Sequence, residues 1–285
     1  MILLILSMMK QMRIMMNNFY IYKNIVMSHS FFAYPGNKRN EYKEIKDKLN
    51  FDNITNIIEP FCGTAAISFN IWLEYGNKFT YHLNDKYKFL TDYYDMIKIT
   101  EPIDIYNNVN FVKQSITTHE FWLELHRNRD NNLFVDITIR KMSGFRPGFR
   151  RNIEFQNDKK FSYFTPIQLK FLEFIKCPYV HITNNDWFDI FDIYKNDEHS
   201  LFIFDPPYIG KDNTYYKKPT FDVYQYFKTN NINFFDSKIF FMLEDIPIIR
   251  ELFSSNNIYE PYDKRYQCIS LCKNKKPTKH IVISN

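Results

Sequence analysis

Four consecutive segments between residue 53 and about residue 100 dictate the fold class. Asn53–Ile58 (NITNII) is a short β-branched run that reads as a strand, and Glu59-Pro60-Phe61-Cys62-Gly63 closes it with a turn. Ala65–Tyr75 (AAISFNIWLEY) has helical spacing and stops at Gly76, a residue suited to a helix C-cap. A second strand, Phe79–Leu83, runs into Asn84-Asp85, and another helix starts near Tyr87. Strand, helix, strand, helix opens a doubly wound α/β sheet, because strands joined by crossover helices lie parallel. A polar-faced helix is expected just upstream, at Glu41–Leu49 (EYKEIKDKL).

The rhythm lapses between residues 103 and 178, where Arg127, Arg129, Arg140, Lys141, Arg146, Arg150 and Arg151 gather around Phe145 and Phe149. It resumes with strands at Tyr179–Thr183, Leu201–Phe204, Lys238–Leu243 and Lys279–Ser284, and with a helical stretch around Pro247–Phe253. The expected division is a core of residues 27–102 and 179–285, interrupted by a small helical and hairpin insert, 103–178. Residues 1–26, methionine-rich and without a period, read as a disordered extension or as a start upstream of the functional one.

With 45% hydrophobic and 24% charged residues the composition is globular, and 285 residues suffice for a substantial core. The 19% aromatic content accompanies abundant Asn, Ile and Lys, as in an AT-rich coding sequence, so a lone aromatic carries little functional weight. A net charge of +5 permits a polyanionic partner without requiring one. Cys62, Cys177, Cys268 and Cys272 have neither disulfide-framework nor zinc-ligand spacing, and read as free thiols in a reducing, cytoplasmic compartment, or a host-cell interior for a viral protein. The apolar run Met1–Met9 is too short to cross a bilayer and no cleavage site follows it, so no membrane association is expected.

The chemistry concentrates at Asp205-Pro206-Pro207-Tyr208, at the end of an apolar strand. An exocyclic amine is a poor nucleophile, since its lone pair is delocalised into the ring. Methylating one calls for acceptors that draw off the amino hydrogens. Asp205 offers a carboxylate, Pro206 a main-chain carbonyl, the prolines a rigid turn, and Tyr208 a flat face for an extruded base. Taken alone, the tetrapeptide is also what an ordinary rigid turn looks like. Upstream, Gly63 permits close backbone approach before a helix start that can bind a carboxylate. Asp85 ends the next strand, where carboxylates commonly grip ribose hydroxyls. A nicotinamide site fits poorly, because Thr64-Ala65-Ala66 replace the further glycines of the dinucleotide fingerprint. Lys38, in Phe32-Ala33-Tyr34-Pro35-Gly36-Asn37-Lys38, presents a cation beside aromatics.

In order along the chain, AYPGNK (Ala33–Lys38), EPFCG (Glu59–Gly63), ND (Asn84-Asp85) and DPPY (Asp205–Tyr208) resemble the Dam-type, D12 class, DNA adenine methyltransferases, as does the closing KHIVISN. The resemblance runs from about Phe31 to Asn285. Thr64-Ala65 depart from it, since the family often has a second glycine there. The resemblance implies a Rossmann-like S-adenosylmethionine-dependent core of mostly parallel sheet. It implies that Tyr34, Lys38, Phe61, Gly63, Asp85, Asp186 and Tyr215 line the cofactor site, and that Asp205, Pro206 and Tyr208, with Lys38, act on the adenine. No metal is called for.

The insert resembles the family's target-recognition domain in position. Within it Arg140, Arg146, Arg150 and Arg151 are the candidates for contacting double-stranded DNA, through guanine edges or phosphates. The expected function is methyl transfer from S-adenosylmethionine to N6 of an adenine flipped out of a specific DNA site. Two alternatives stay open, a cytosine-N4 methylase and a catalytically silent DNA-binding relative. A cognate restriction endonuclease is an open partner, and oligomeric state is not readable.

Overall fold

The chain, seen as a computed structural model, is described for residues 38, 41–143, 161–209, 221–264 and 278–285. Helix α1 (Tyr42–Ile45) leads through a 3-10 turn to β1 (Asn56–Glu59), α2 (Ala66–Tyr75), β2 (Thr80–Asn84) and α3 (Lys88–Ile99). Next come α4 (Pro102–Ser115), α5 (His119–Arg127), α6 (Leu133–Ser143) and α7 (Pro166–Lys176). The chain then alternates through β3 (Val180–Thr183), α8 (Trp187–Tyr194), β4 (Ser200–Phe204), α9 (Phe221–Thr229), β5 (Lys238–Glu244) and α10 (Pro247–Leu252). It closes with β6 (Asn257–Ile258), β7 (Tyr262–Lys264) and β8 (Thr278–Ser284).

Among the described residues the strands form one sheet in the order β3-β2-β1-β4-β5-β8-β6, with β7 also on β8. The first five are parallel and β8 is antiparallel to its neighbours. This is the mostly parallel α/β architecture expected. Period-two alternation explains why it holds helices on both faces. Ile57, Leu201, Ile203, Phe240, Met242 and Val282 join the cluster that contains Phe69, Tyr94 and Phe171 of α2, α3 and α7. Their strand neighbours Ile58, Phe202, Phe204, Phe241, Leu243 and Ile281 join the opposite cluster, with Phe191 and Phe227 of α8 and α9. Every residue of β4 is buried, as a central strand covered on both sides requires.

Local departures have local causes. The strand expected from Asn53 starts at Asn56, because Asn53 has φ 61° and turns the chain first. The helix expected over Glu41–Leu49 is α for one turn and 3-10 after it. Gly76 ends α2 with φ 60° and its N–H bonded to the Trp72 carbonyl, as a C-cap should. The strands β6 and β7 had no counterpart in the sequence reading.

Helices α4 to α6 meet around a small core of Ile116, Trp122 and Ile139, while Ile105 and Val109 of α4 and Ile137 of α6 join the main core. Helix α7 follows. A capping box of Thr165 and Gln168 starts it, and its Phe171 and Phe174 pack on Phe69 of α2 with ring centroids at 5.2 and 5.7 Å. Residues 166–176, grouped by chain order with the insert, thus pack on the sheet as an ordinary crossover helix. The expected hairpin around SGFRPGFRRN and the extension 1–26 lie outside the described residues. The described cysteines, Cys62 and Cys177, are buried free thiols.

Candidate active site

In an open α/β sheet the crevice for a ligand lies beyond the carboxyl ends of the strands where the strand order reverses, here between β1 and β4. Beyond β4 stand Asp205-Pro206-Pro207-Tyr208; beyond β1 stands Pro60-Phe61-Cys62-Gly63. The Asp205 carboxylate is held from two directions. Its Oδ1 accepts the Tyr208 hydroxyl at 3.0 Å, and its Oδ2 pairs with the Lys38 ammonium. That ammonium also lies 5.1 Å from the Tyr208 ring centroid. Tyr224 of α9 donates its hydroxyl to the Pro207 carbonyl at 3.3 Å, and Pro206 is buried, so the loop is fixed on both sides.

Lys38 is placed by the first turn after it, where the N–H groups of Glu41 and Tyr42 donate to its carbonyl at 3.0 and 3.3 Å. Burial alone would push its pKa down, but Asp205 and then Glu41 outweigh it, and the net displacement is upward. The lysine is therefore a cation in this site. Glu59, 3% exposed, accepts the Ser68 N–H at 2.8 Å, and burial raises its carboxyl from 4.5 to about 7.

The glycine turn is tied to the end of β2. Asp85 accepts the Gly63 N–H at 2.9 Å and the Tyr87 N–H at 2.8 Å, and the Tyr94 hydroxyl donates to the Gly63 carbonyl. Gly63 sits at φ 50° and Ala65 at φ 52°, both left-handed. Asp85 is 4% exposed, and burial raises its pKa to about 6. Each of its oxygens is engaged by one backbone donor and keeps a second lone pair for a ligand hydroxyl.

Asn84, fully buried, knits three strand ends together. Its amide donates to the Pro60 and Asn185 carbonyls at 3.0 and 3.1 Å, and its oxygen accepts from the Thr183 hydroxyl at 2.8 Å and the Asn185 N–H at 3.0 Å. Beyond β3, Asp186 caps α8 through the Phe188 N–H and takes the Lys86 ammonium at 2.5 Å, which lowers its pKa against the opposing effect of burial. Phe61 lies with its centroid 6.3 Å from those of Trp187 and Phe204. The structure thus gathers Lys38, Asp205, Pro206 and Tyr208 into one cluster and Phe61, Gly63, Asp85 and Asp186 along the adjoining strand ends. Glu59 and Asn84 were quoted in sequence only as members of the EPFCG and ND motifs and given no role, although each is the polar residue that closes a buried strand.

Arg140 requires correction. Expected to face DNA, it is 1% exposed, paired with Asp136 of its own helix and donating to the Tyr87 hydroxyl at 2.6 Å, with Phe89 4.0 Å from its guanidinium carbon. An enclosed guanidinium so fully engaged joins α6 to α3 and offers nothing to a duplex. Tyr34, Tyr215, Arg146, Arg150 and Arg151 lie outside the described residues. Among those described, no cluster of three or more His, Cys, Asp or Glu side chains is arranged to hold a metal, and no helix is long and apolar enough to cross a membrane.

No curated protein matches the chain. A family model does, over residues 34–267, a span that takes in every segment of the cluster just described; its description is D12 class N6 adenine-specific DNA methyltransferase.

Proposed function

Because the chain belongs to the D12 class of N6 adenine-specific DNA methyltransferases, we propose that it uses S-adenosylmethionine as methyl donor and acts on an adenine extruded from a specific site in double-stranded DNA. The observation that carries this reading is the Lys38–Asp205–Tyr208 cluster, assembled from segments far apart in the chain beside the point where the strand order reverses.

The residues on the rim suit that donor. Asp85 and Asp186 offer acceptors for ribose hydroxyls and an adenine amine, Phe61 a flat apolar face, and Gly63 a backbone without Cβ beside the α2 start. When bound, S-adenosylmethionine supplies an electrophilic methyl on a sulfonium. The protein's own part is to prepare the nucleophile. Asp205 and the Pro206 carbonyl accept hydrogens from adenine N6, which concentrates electron density on the nitrogen, and Asp205 takes up the proton that the amine loses as it gains a methyl. Lys38 pairs with the Asp205 carboxylate and holds it toward the base, and Tyr208 stacks on the extruded base. Recognition falls to the insert, with Arg146, Arg150 and Arg151 contacting the duplex.

The test is incubation of the full chain with duplex DNA and labelled S-adenosylmethionine, followed by nucleoside analysis. Label in N6-methyladenine is expected, and Asp205→Ala abolishes it while retaining donor binding. Tight DNA binding with no label uptake, or label on cytosine N4, overturns the reading.

A further inference from the structure

Behind the Lys38–Asp205 pair lies a second set of ionisable groups that the mechanism above does not use. Glu41, 5% exposed, pairs with the Lys264 ammonium from β7, accepts the Tyr262 hydroxyl at 3.0 Å, and lies 3.5 Å from Nδ1 of His280 on β8. His280 is 0% exposed and meets the Tyr208 ring edge-on, with centroids 5.0 Å apart. Among the described residues, two ammoniums, Lys38 and Lys264, therefore share a buried volume with the carboxyls of Asp205, Glu41 and Glu59. Asp205 is the group that must meet substrate and burial draws Glu59 toward its neutral form, so Glu41 is the described anion best placed to balance the lysines whatever Asp205 does. Its backbone N–H already holds the Lys38 carbonyl at 3.0 Å.

We infer that Glu41, clamped by Tyr262, Lys264 and His280, is a positioning residue for methyl transfer that keeps Lys38 protonated and directed at Asp205. The inference rests on the reading of Asp205 as the acceptor for the target amine. Among the described residues, the groups facing Lys38 are Asp205 and Tyr208 beyond β4, Glu41 before α1, Glu59 of β1, Lys264 of β7 and His280 of β8. Burial works against the charged form of Glu41, yet Lys38, His280 and Lys264 hold its pKa down at about 2, so it is an anion at any working pH. Lys264, pushed down to about 7 first by burial and then by Lys38, yields its charge before Lys38 does. Removing the Glu41 charge weakens the hold of Lys38 on its proton, and Lys38 then neutralises at lower pH.

The experiment is single-turnover methylation of duplex DNA by the full chain from about pH 6 to about pH 10. Glu41→Gln is expected to slow the step about 100-fold, as misplacement of a reacting group does. Its alkaline limb, which in the parent lies above this range because Lys38 titrates above its ordinary value, should move down into it, while affinities for S-adenosylhomocysteine and DNA stay within about twofold. Glu41→Asp, which keeps the charge, should restore the limb. Tyr262→Phe removes one bond to Glu41 and should shift the limb the same way by less; it carries the test if Glu41→Gln does not fold. An unshifted limb in the folded variant overturns the inference, as does a rate loss that merely follows lost binding. Asp205→Ala separates the two failures: if that variant is fully active the reading of the site falls, and if it is inert while the Glu41→Gln limb is unshifted only the inference falls.

Discussion

The Tyr208 hydroxyl donates to the Asp205 carboxylate at 3.0 Å, so the ring that would carry a base and the oxygen that would take its hydrogen are held as one unit. Stacking needs the ring and not the hydroxyl. Tyr208→Phe should keep kcat/KM within about threefold of the parent, whereas Tyr208→Ala should lower it about 10- to 100-fold, from the roughly 1–3 kcal/mol that stacking contributes per base. Steady-state methylation of one duplex oligonucleotide distinguishes the two.

Glu59 makes stability depend on pH. Burial raises its pKa from 4.5 to about 7, so between those values the folded chain binds more protons than the unfolded one. This contribution is fully present below pH 4.5, fades as pH rises and is gone above about 7. Glu59→Gln keeps an acceptor for the Ser68 N–H and cannot ionise. Denaturant titrations should show the parent losing on the order of 3 kcal/mol relative to this variant across that window; parallel curves would refute the assignment.

Asp186 serves two masters, the α8 cap and the Lys86 ammonium. Asp186→Ala should cost about 1 kcal/mol through the lost cap. If Asp186 accepts the adenine amine as proposed, the change should also weaken S-adenosylhomocysteine binding about tenfold, the effect of one lost hydrogen bond. Lys86→Ala breaks only a solvent-exposed pair, so stability should change by less than about 1 kcal/mol and binding should hold or tighten. Calorimetric titration and thermal melts read both.

Arg140 is a stability residue. Arg140→Met leaves Asp136 enclosed, with Arg129 at 3.6 Å as its remaining cation among the described residues. The expected loss is about 3 kcal/mol of unfolding free energy. Because this side chain meets no phosphate, the slope of log DNA affinity against log salt should be unchanged in the folded variant. A slope reduced by about one would restore the DNA-contact role.

Ala65 occupies a left-handed conformation, φ 52° and ψ 33°, that costs a residue with a Cβ about 1 kcal/mol. Ala65→Gly should raise the melting temperature by a few degrees for a chain this size, with no loss of donor affinity.

That position also marks how much was legible. Thr64-Ala65 depart from the second glycine often found in the family that the sequence resembles, and the left-handed backbone at Ala65 is a conformation glycine adopts freely. Strands β1, β4, β5 and β8 were readable because each holds consecutive apolar residues, and β2 and β3 because they keep the strand and helix rhythm although His82 and His181 interrupt them. Strands β6 and β7 were not, at two and three residues with Asn257 and Asp263 among them. Helix α7 was assigned by chain order, while its Phe171 and Phe174 belong to the sheet through contacts that no local pattern encodes. Arg140 did carry a local signal: Asp136 stands four residues before it, the spacing of a helical ion pair. The Glu41, Lys264 and His280 cluster had none, for its members meet only once β8 is in the sheet.

Strand β8 lies between β5 and the β6 and β7 edge, yet follows all of them in the chain. The strand that carries His280 is thus seated between partners synthesised before it, and His280 reaches Tyr208 and Glu41 only after β8 has left the ribosome. Chains interrupted before β8 are therefore expected to lack the Glu41 clamp and, with it, methyl transfer.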